Sequence, residues 1–192
     1  MTEKEGKGAE ITLKSKFARG VYLCAIGTGL ATVAFAILHY HYGHPWLLST
    51  AISFGTTFYH FAMRLAVGLT VPKIKNYHSR WLRQRSFEPK LYATLKVKQW
   101  KKYVPTFDPR LFSLQHCTLS QLIENSCRAE VVHEIIILLS FLPVLTVPFF
   151  GAEDVFIRTS VVAALFDSIF VILQRYNRPR LIRILEKETA HG

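Results

Sequence analysis

The residues best suited to chemistry lie in Ala129-Glu130-Val131-Val132-His133-Glu134, where helical spacing puts Glu130 and Glu134 on one face and sets His133 one turn after Glu130. A carboxylate beside an imidazole orients the ring and raises its basicity. That suits a general base taking a proton from a hydroxyl as the hydroxyl attacks an acyl group. Two other readings fit the same residues: a solvated helix start with a favourable Glu near its N-terminus, and a metal site. One His and two carboxylates lack the second histidine of a metalloprotease helix, so no bound metal is expected.

A second constellation joins Asp167 to Gln174-Arg175-Tyr176-Asn177-Arg178-Pro179-Arg180. Asp167, Val171, Gln174 and Arg178 share one helical face, so an acid inside an apolar run points the same way as a base at its end. Arg64, in another apolar run, and Asp167 both lie roughly 9 to 10 Å in from the polar ends at about 1.5 Å per residue. They are expected to face one polar pocket and to pair, which offsets the cost of burying each charge alone. A pair that only joins two helices accounts for them equally. His60, one turn deeper than Arg64, extends the pocket inward. Arg175, Arg178 and Arg180 are spaced to hold a phosphate of a lipid headgroup or of a coenzyme A donor. Ordinary anchoring by basic residues also explains them, but not the company of Gln174, Tyr176 and Asn177.

The elements that carry these residues are apolar. In 192 residues, half are hydrophobic and 13% aromatic, and the mean hydropathy is +0.20, a balance unusual for a soluble chain. The expected class is an all-α membrane protein with four transmembrane helices, because crossing a bilayer takes roughly 20 residues. The runs are Val21–Leu38, which has no charge, Trp46–Val71, which contains His60 and Arg64, about Val131–Phe150, interrupted by Pro143 and Pro148, and Val155–Leu173, which contains Asp167. Lys and Arg crowd the segment between the second and third runs and flank the first and last. The 39–45 loop has neither residue, and the 151–154 loop has only acids. The basic side is therefore cytoplasmic, with both termini inside.

One domain is expected, divided as a 1–20 N-terminal tail, a 21–71 hairpin, a 72–130 cytoplasmic interfacial segment, a 131–173 hairpin and a 174–192 basic tail. From Lys73 to Arg85, Ile74, Tyr77, Trp81 and Leu82 alternate with basic residues at helical spacing, the pattern of an interfacial amphipathic helix or of one packed on its own protein. Thr118 and Gln121 form a capping box for the helix that delivers Glu130 and His133. The net charge of +11 sits beside apolar runs, so anionic lipid headgroups are the expected partner rather than nucleic acid. Cys24, Cys117 and Cys127 lack metal-ligand spacing and are expected to be free thiols. The polar N-terminus offers no convincing cleavable leader, so the first run is expected to stay as an anchor.

Three blocks in order, Lys96-Val97-Lys98-Gln99-Trp100-Lys101-Lys102 with Pro105, then Arg128-Ala129-Glu130 with His133, then Gln174 through Leu181, closely resemble the glycosyl-4,4'-diaponeurosporenoate acyltransferase family of small bacterial membrane proteins. The resemblance covers about residues 87–185. It implies a multi-pass protein of the bacterial cell membrane that O-acylates a sugar hydroxyl of a glycosylated carotenoid. Where the family usually places an Asn in the last crossing helix, this chain has Asp167.

The expected reaction is acyl transfer to a hydroxyl of a lipid or glycolipid acceptor, with His133, assisted by Glu130, as base. Arg175, Arg178 and Arg180 would hold the phosphates of acyl-CoA or another acyl donor, and Trp100 and Lys101 would close the pocket. No cofactor is expected to be bound. No Ser or Cys lies in a nucleophile motif, which favours direct transfer over an acyl-enzyme. The rivals are a non-enzymatic protein that binds anionic lipid or scaffolds a partner, and another lipid-modifying enzyme such as a methyltransferase, for which no glycine-rich cofactor loop is present. The sequence leaves the oligomeric state open.

Overall fold

The computed structural model describes residues 16–191, and all regular structure among them is helical. In chain order the α-helices are α1 (Lys16–Tyr42), α2 (Pro45–Thr70), α3 (Glu88–Thr94), α4 (Val97–Trp100), α5 (Leu119–Leu139), α6 (Val147–Phe150) and α7 (Glu153–His191), with short 3-10 turns between some of them. The chain forms two compact units. Of the described residues, Gly20–Val71 and Val132–Ser168 build an apolar unit, and Pro72–Val131, 169–191 and 16–19 a basic one.

Three stretches among the described residues are long and apolar enough to cross a membrane: Lys16–Tyr42, Leu119–Phe150 and Glu153–Ala190. Leu23, Ile26, Leu30, Val33 and Ile37 of α1 are all exposed, as suits side chains whose solvent is lipid. At 26 residues, α2 has the length for a crossing but is not among the three, because hydroxyls, His60 and Arg64 dilute its apolar character. Those hydroxyls are satisfied inside the helix: Thr50, Ser53, Thr56 and Thr57 each donate to the carbonyl four residues back, at 2.8 to 2.9 Å.

Gly43, at φ +69°, ends α1, its amide bonding the His39 carbonyl at 2.8 Å. Pro45 then starts α2 where no amide donor is needed. The hairpin closes through small residues and rings. Phe35 stacks on Phe54 with centroids 5.7 Å apart, and a Cβ added at Gly29 would stand 3.1 Å from the Phe58 ring. Further along α2, Met63 and Val67 pack with Val132 and Ile136 of α5.

The reciprocal cap of α5 is present: the Thr118 amide bonds Gln121 Oε1 at 2.9 Å, and the Gln121 amide bonds Thr118 Oγ1 at 3.3 Å. The third apolar run is broken as its prolines imply. Pro143 and Pro148 sit in the first turns of a 3-10 turn, Leu142–Thr146, and of α6, where a missing amide costs little.

The 174–191 stretch is helical and continues α7, with Pro179 inside the helix. One expectation is corrected. Lys73–Arg85 is irregular chain followed by turns rather than an amphipathic helix. The carbonyls of Trp81, Leu82 and Arg83 accept from the guanidinium groups of Arg175 and Arg178. These charge-assisted bonds are stronger than the neutral ones a short helix would make, and they fix the backbone in its turned course. The apolar residues still find cover, since Leu82 is buried with Ile123 and Cys127, and Ile74 and Tyr77 pack against them.

Gly29→Leu should overpack the α1–α2 contact and destabilise the protein by about 1–3 kcal/mol. Gly27→Leu, where nothing lies within 4 Å, should not. Thermal melts of the detergent-solubilised variants would separate the two.

Candidate functional site

In the apolar unit the polar residues converge on Asp167, which is 1% exposed. Arg64 of α2 donates Nη2 to Asp167 Oδ2 and to the Ala163 carbonyl, and Nη1 to the His60 carbonyl at 2.7 Å. His133 Nδ1 lies 2.8 Å from Asp167 Oδ1. One carboxylate thus bridges a guanidinium and an imidazole. Because Arg64 already neutralises Asp167, the cluster is electrically balanced with His133 uncharged. A carboxylate on Nδ1 holds the proton there and leaves the lone pair on Nε2, the arrangement of an oriented general base.

His60 is buried, and neither ring nitrogen has a hydrogen-bond partner among the described residues; the same holds for Ser160 Oγ. An apolar groove in this unit, about 410 Å³, is lined by Thr32, Gly55, Tyr59, Pro143, Phe150 and Phe156 among others. Tyr59 also donates its hydroxyl to the Leu139 carbonyl at 2.8 Å.

In the basic unit the charges form a second balanced set. Arg175 reaches Glu88 Oε1 through Nε at 3.1 Å and Nη2 at 2.6 Å, and Glu130 Oε1 through Nη1 at 2.6 Å. Arg178 bonds the other Glu130 oxygen and the Leu82 carbonyl. Glu130 is fully buried, Arg178 is 2% exposed and Glu88 3%. Tyr92 donates to Glu88 Oε2 at 2.7 Å. Burial would raise the Glu88 pKa, but the bonds from Arg175, Tyr92 and the Arg85 amide outweigh it and hold the group below the ordinary 4.5. Burial and the neighbouring Glu88 raise the Tyr92 phenol.

The sequence candidates are thereby divided. His133, Asp167, Arg64 and His60 belong to the apolar unit. Glu130, placed beside His133 by helical spacing, engages Arg175 and Arg178, and Asp167 is the carboxylate on the His133 ring. In the tail, Gln174 accepts from Ser126 at 3.0 Å, and Arg175 and Arg178 bind carboxylates and carbonyls. Tyr176, Asn177 and Arg180 line an open cavity with Lys96, Lys98 and Arg183. Lys101 Nζ donates to Asn177 Oδ1 at 3.0 Å and lies 5.0 Å from the Tyr176 ring centroid. Trp100 donates to the Leu95 carbonyl. Among the described residues no group of three His, Cys, Asp or Glu side chains is placed to hold a metal ion.

A family model described as glycosyl-4,4'-diaponeurosporenoate acyltransferase matches residues 78–187, more than half of the chain. The chain belongs to this family. The matched region contains both members of the His133–Asp167 contact and the whole Glu88–Arg175–Glu130–Arg178 network, whereas His60 and Arg64 precede it. No curated protein and no solved structure matches the chain.

Glu88 was not singled out by sequence reasoning. The signal was present, because Glu88 is the sole acid between Pro72 and Phe107 in a stretch crowded with Lys and Arg. Such an acid is placed to be shared by cations.

Glu130→Ala leaves two buried guanidinium groups short of their carboxylate and should cost about 3–5 kcal/mol, more than the joint Glu130→Leu/Arg178→Met change. Denaturation of solubilised protein would measure both. The Glu88 contribution, from a carboxyl with a lowered folded-state pKa, is complete above pH 4.5 and is lost as pH falls through the lower folded value. Glu88→Gln should therefore melt lower at neutral pH and show a shallower acid dependence.

Proposed function

We propose that the protein is a multi-pass membrane O-acyltransferase that moves a fatty acyl group onto a hydroxyl of a lipid or glycolipid acceptor at the cytoplasmic face of the cell membrane. The family name supports a glycosylated carotenoid as acceptor. The observation that carries the reading is the 2.8 Å contact of His133 Nδ1 with Asp167, which orients an imidazole whose charge Arg64 makes unnecessary.

His133 Nε2 takes the proton of the acceptor hydroxyl as its oxygen attacks the acyl carbonyl. The ester C–O bond forms and the bond to the donor's leaving group breaks. The proton then passes from Nε2 to that leaving group, which leaves the imidazole neutral again. A thioester donor such as acyl-CoA would depart as a thiol. The acyl chain would occupy the apolar groove, whose walls are almost wholly hydrocarbon, and His60 and Ser160 would offer polar atoms to the substrate. In this reading α2 is a fourth crossing helix, with Arg64 matched by Asp167, and both chain termini are cytoplasmic, in line with the distribution of Lys and Arg.

With purified protein in lipid nanodiscs, His133→Ala should lower the acyl-transfer rate by about 100-fold or more. Asp167→Asn, which keeps shape but loses the charge that fixes the tautomer, should lower kcat more than it raises KM. Mass spectrometry of the acceptor lipid reads both. Full activity in His133→Ala would remove the histidine from the chemistry and leave a lipid-binding or scaffolding role for the same fold.

A further inference from the structure

Four cations line one cavity of the basic unit, and among the described residues no carboxylate lines it with them. Lys96, Lys98, Arg180 and Arg183 surround a space of about 510 Å³ together with Asn177 and Tyr176, a volume within the ~300–1,000 Å³ range of small-ligand sites. None of the four forms an ion pair among the described residues, while the buried arginines of the same unit are matched by Glu88 and Glu130. Lys101, bonded to Asn177, stands at the same place, and its ammonium is disfavoured first by burial and then by the charges of Arg180 and Lys98. Positive potential is therefore concentrated there, with no ion pair to offset it among the described residues.

The backbone is shaped to the same end. Lys96, at the junction of α3 and α4, has φ +51° and ψ +40°, a left-handed conformation that is unfavourable for a residue with a Cβ. It brings Lys96 and Lys98 to one wall, while successive turns of α7 supply Arg180 and Arg183. Tyr176, met edge-on by Tyr92 with centroids 5.5 Å apart, adds an aromatic surface.

We propose that this cavity binds the phosphates of a soluble ligand carrying a diphosphate, alone or together with a phosphate monoester. A single phosphodiester of a lipid headgroup carries one negative charge and would leave most of the four cations unmatched. A diphosphate with a monoester supplies enough, and arginine forks suit its oxygens.

The test is calorimetric titration of the full chain, in nanodiscs of zwitterionic lipid, with desulfo-coenzyme A and with pyrophosphate. Desulfo-coenzyme A has the phosphates but no thiol, so its binding reports nothing about transfer. Binding should weaken as salt rises and should fall roughly tenfold in Arg180→Gln and in Lys98→Gln. Arg180→Lys should keep part of it, and Lys75→Gln, outside the cavity, all of it. Unchanged melting temperatures would show that the variants fold. No binding to the wild type, or equal binding by wild type and the Arg180→Gln/Lys98→Gln double variant, would overturn the proposal. So would loss of binding to anionic vesicles in that double variant when desulfo-coenzyme A does not bind, since the site would then serve a lipid headgroup.

Discussion

A charge taken out of water must be matched where it lies, and this requirement organises both units of the chain. Arg64, Asp167 and His133 meet in one set, Arg175, Arg178, Glu88 and Glu130 in another, and in each the formal charges of the arginines and carboxylates cancel. Removing one charged member of either set would strand its counter-charge, at several kcal/mol, whereas replacing a whole set with apolar side chains could cost little. Stability alone therefore does not call for these ions. What they add is position: a ring held by one nitrogen, and an irregular segment held by its carbonyls.

That second effect explains where a sequence pattern and the fold part company. Ile74, Tyr77 and Leu82 recur at helical spacing and are covered, yet the backbone around them turns to feed three consecutive carbonyls to Arg175 and Arg178. Periodicity reports which side chains need cover, and the local backbone can supply cover in more than one way. The long helices were legible because length and apolarity are local properties, as were the Thr118–Gln121 cap and the break at Pro143. The continuation of α7 as far as Arg178 was implicit in the shared face of Asp167, Gln174 and Arg178, and the helix runs on beyond Pro179.

Of the candidate site, the matching depth of Arg64 and Asp167 pointed to their pairing, because rise per residue converts sequence into depth. The carboxylate beside His133 was less accessible. Helical spacing puts Glu130 within reach, but spacing on one helix cannot weigh a partner from another. Asp167 engages the ring from α7, while Glu130 meets two arginines whose demand for a buried carboxylate is the greater. The same competition separates the tail arginines. Those that find acids support the fold, and Arg180 and Arg183, which find none among the described residues, line the open cavity.

In the function proposed above, Asp167, already neutralised by Arg64, holds the His133 ring neutral with its proton on Nδ1. Nitrogen NMR of the protein carrying labelled histidine, with His133 assigned by its loss in His133→Gln, reads that state directly. At neutral pH, Nδ1 should be protonated and Nε2 unprotonated. A ring protonated on Nε2 alone, or on both nitrogens, would contradict it.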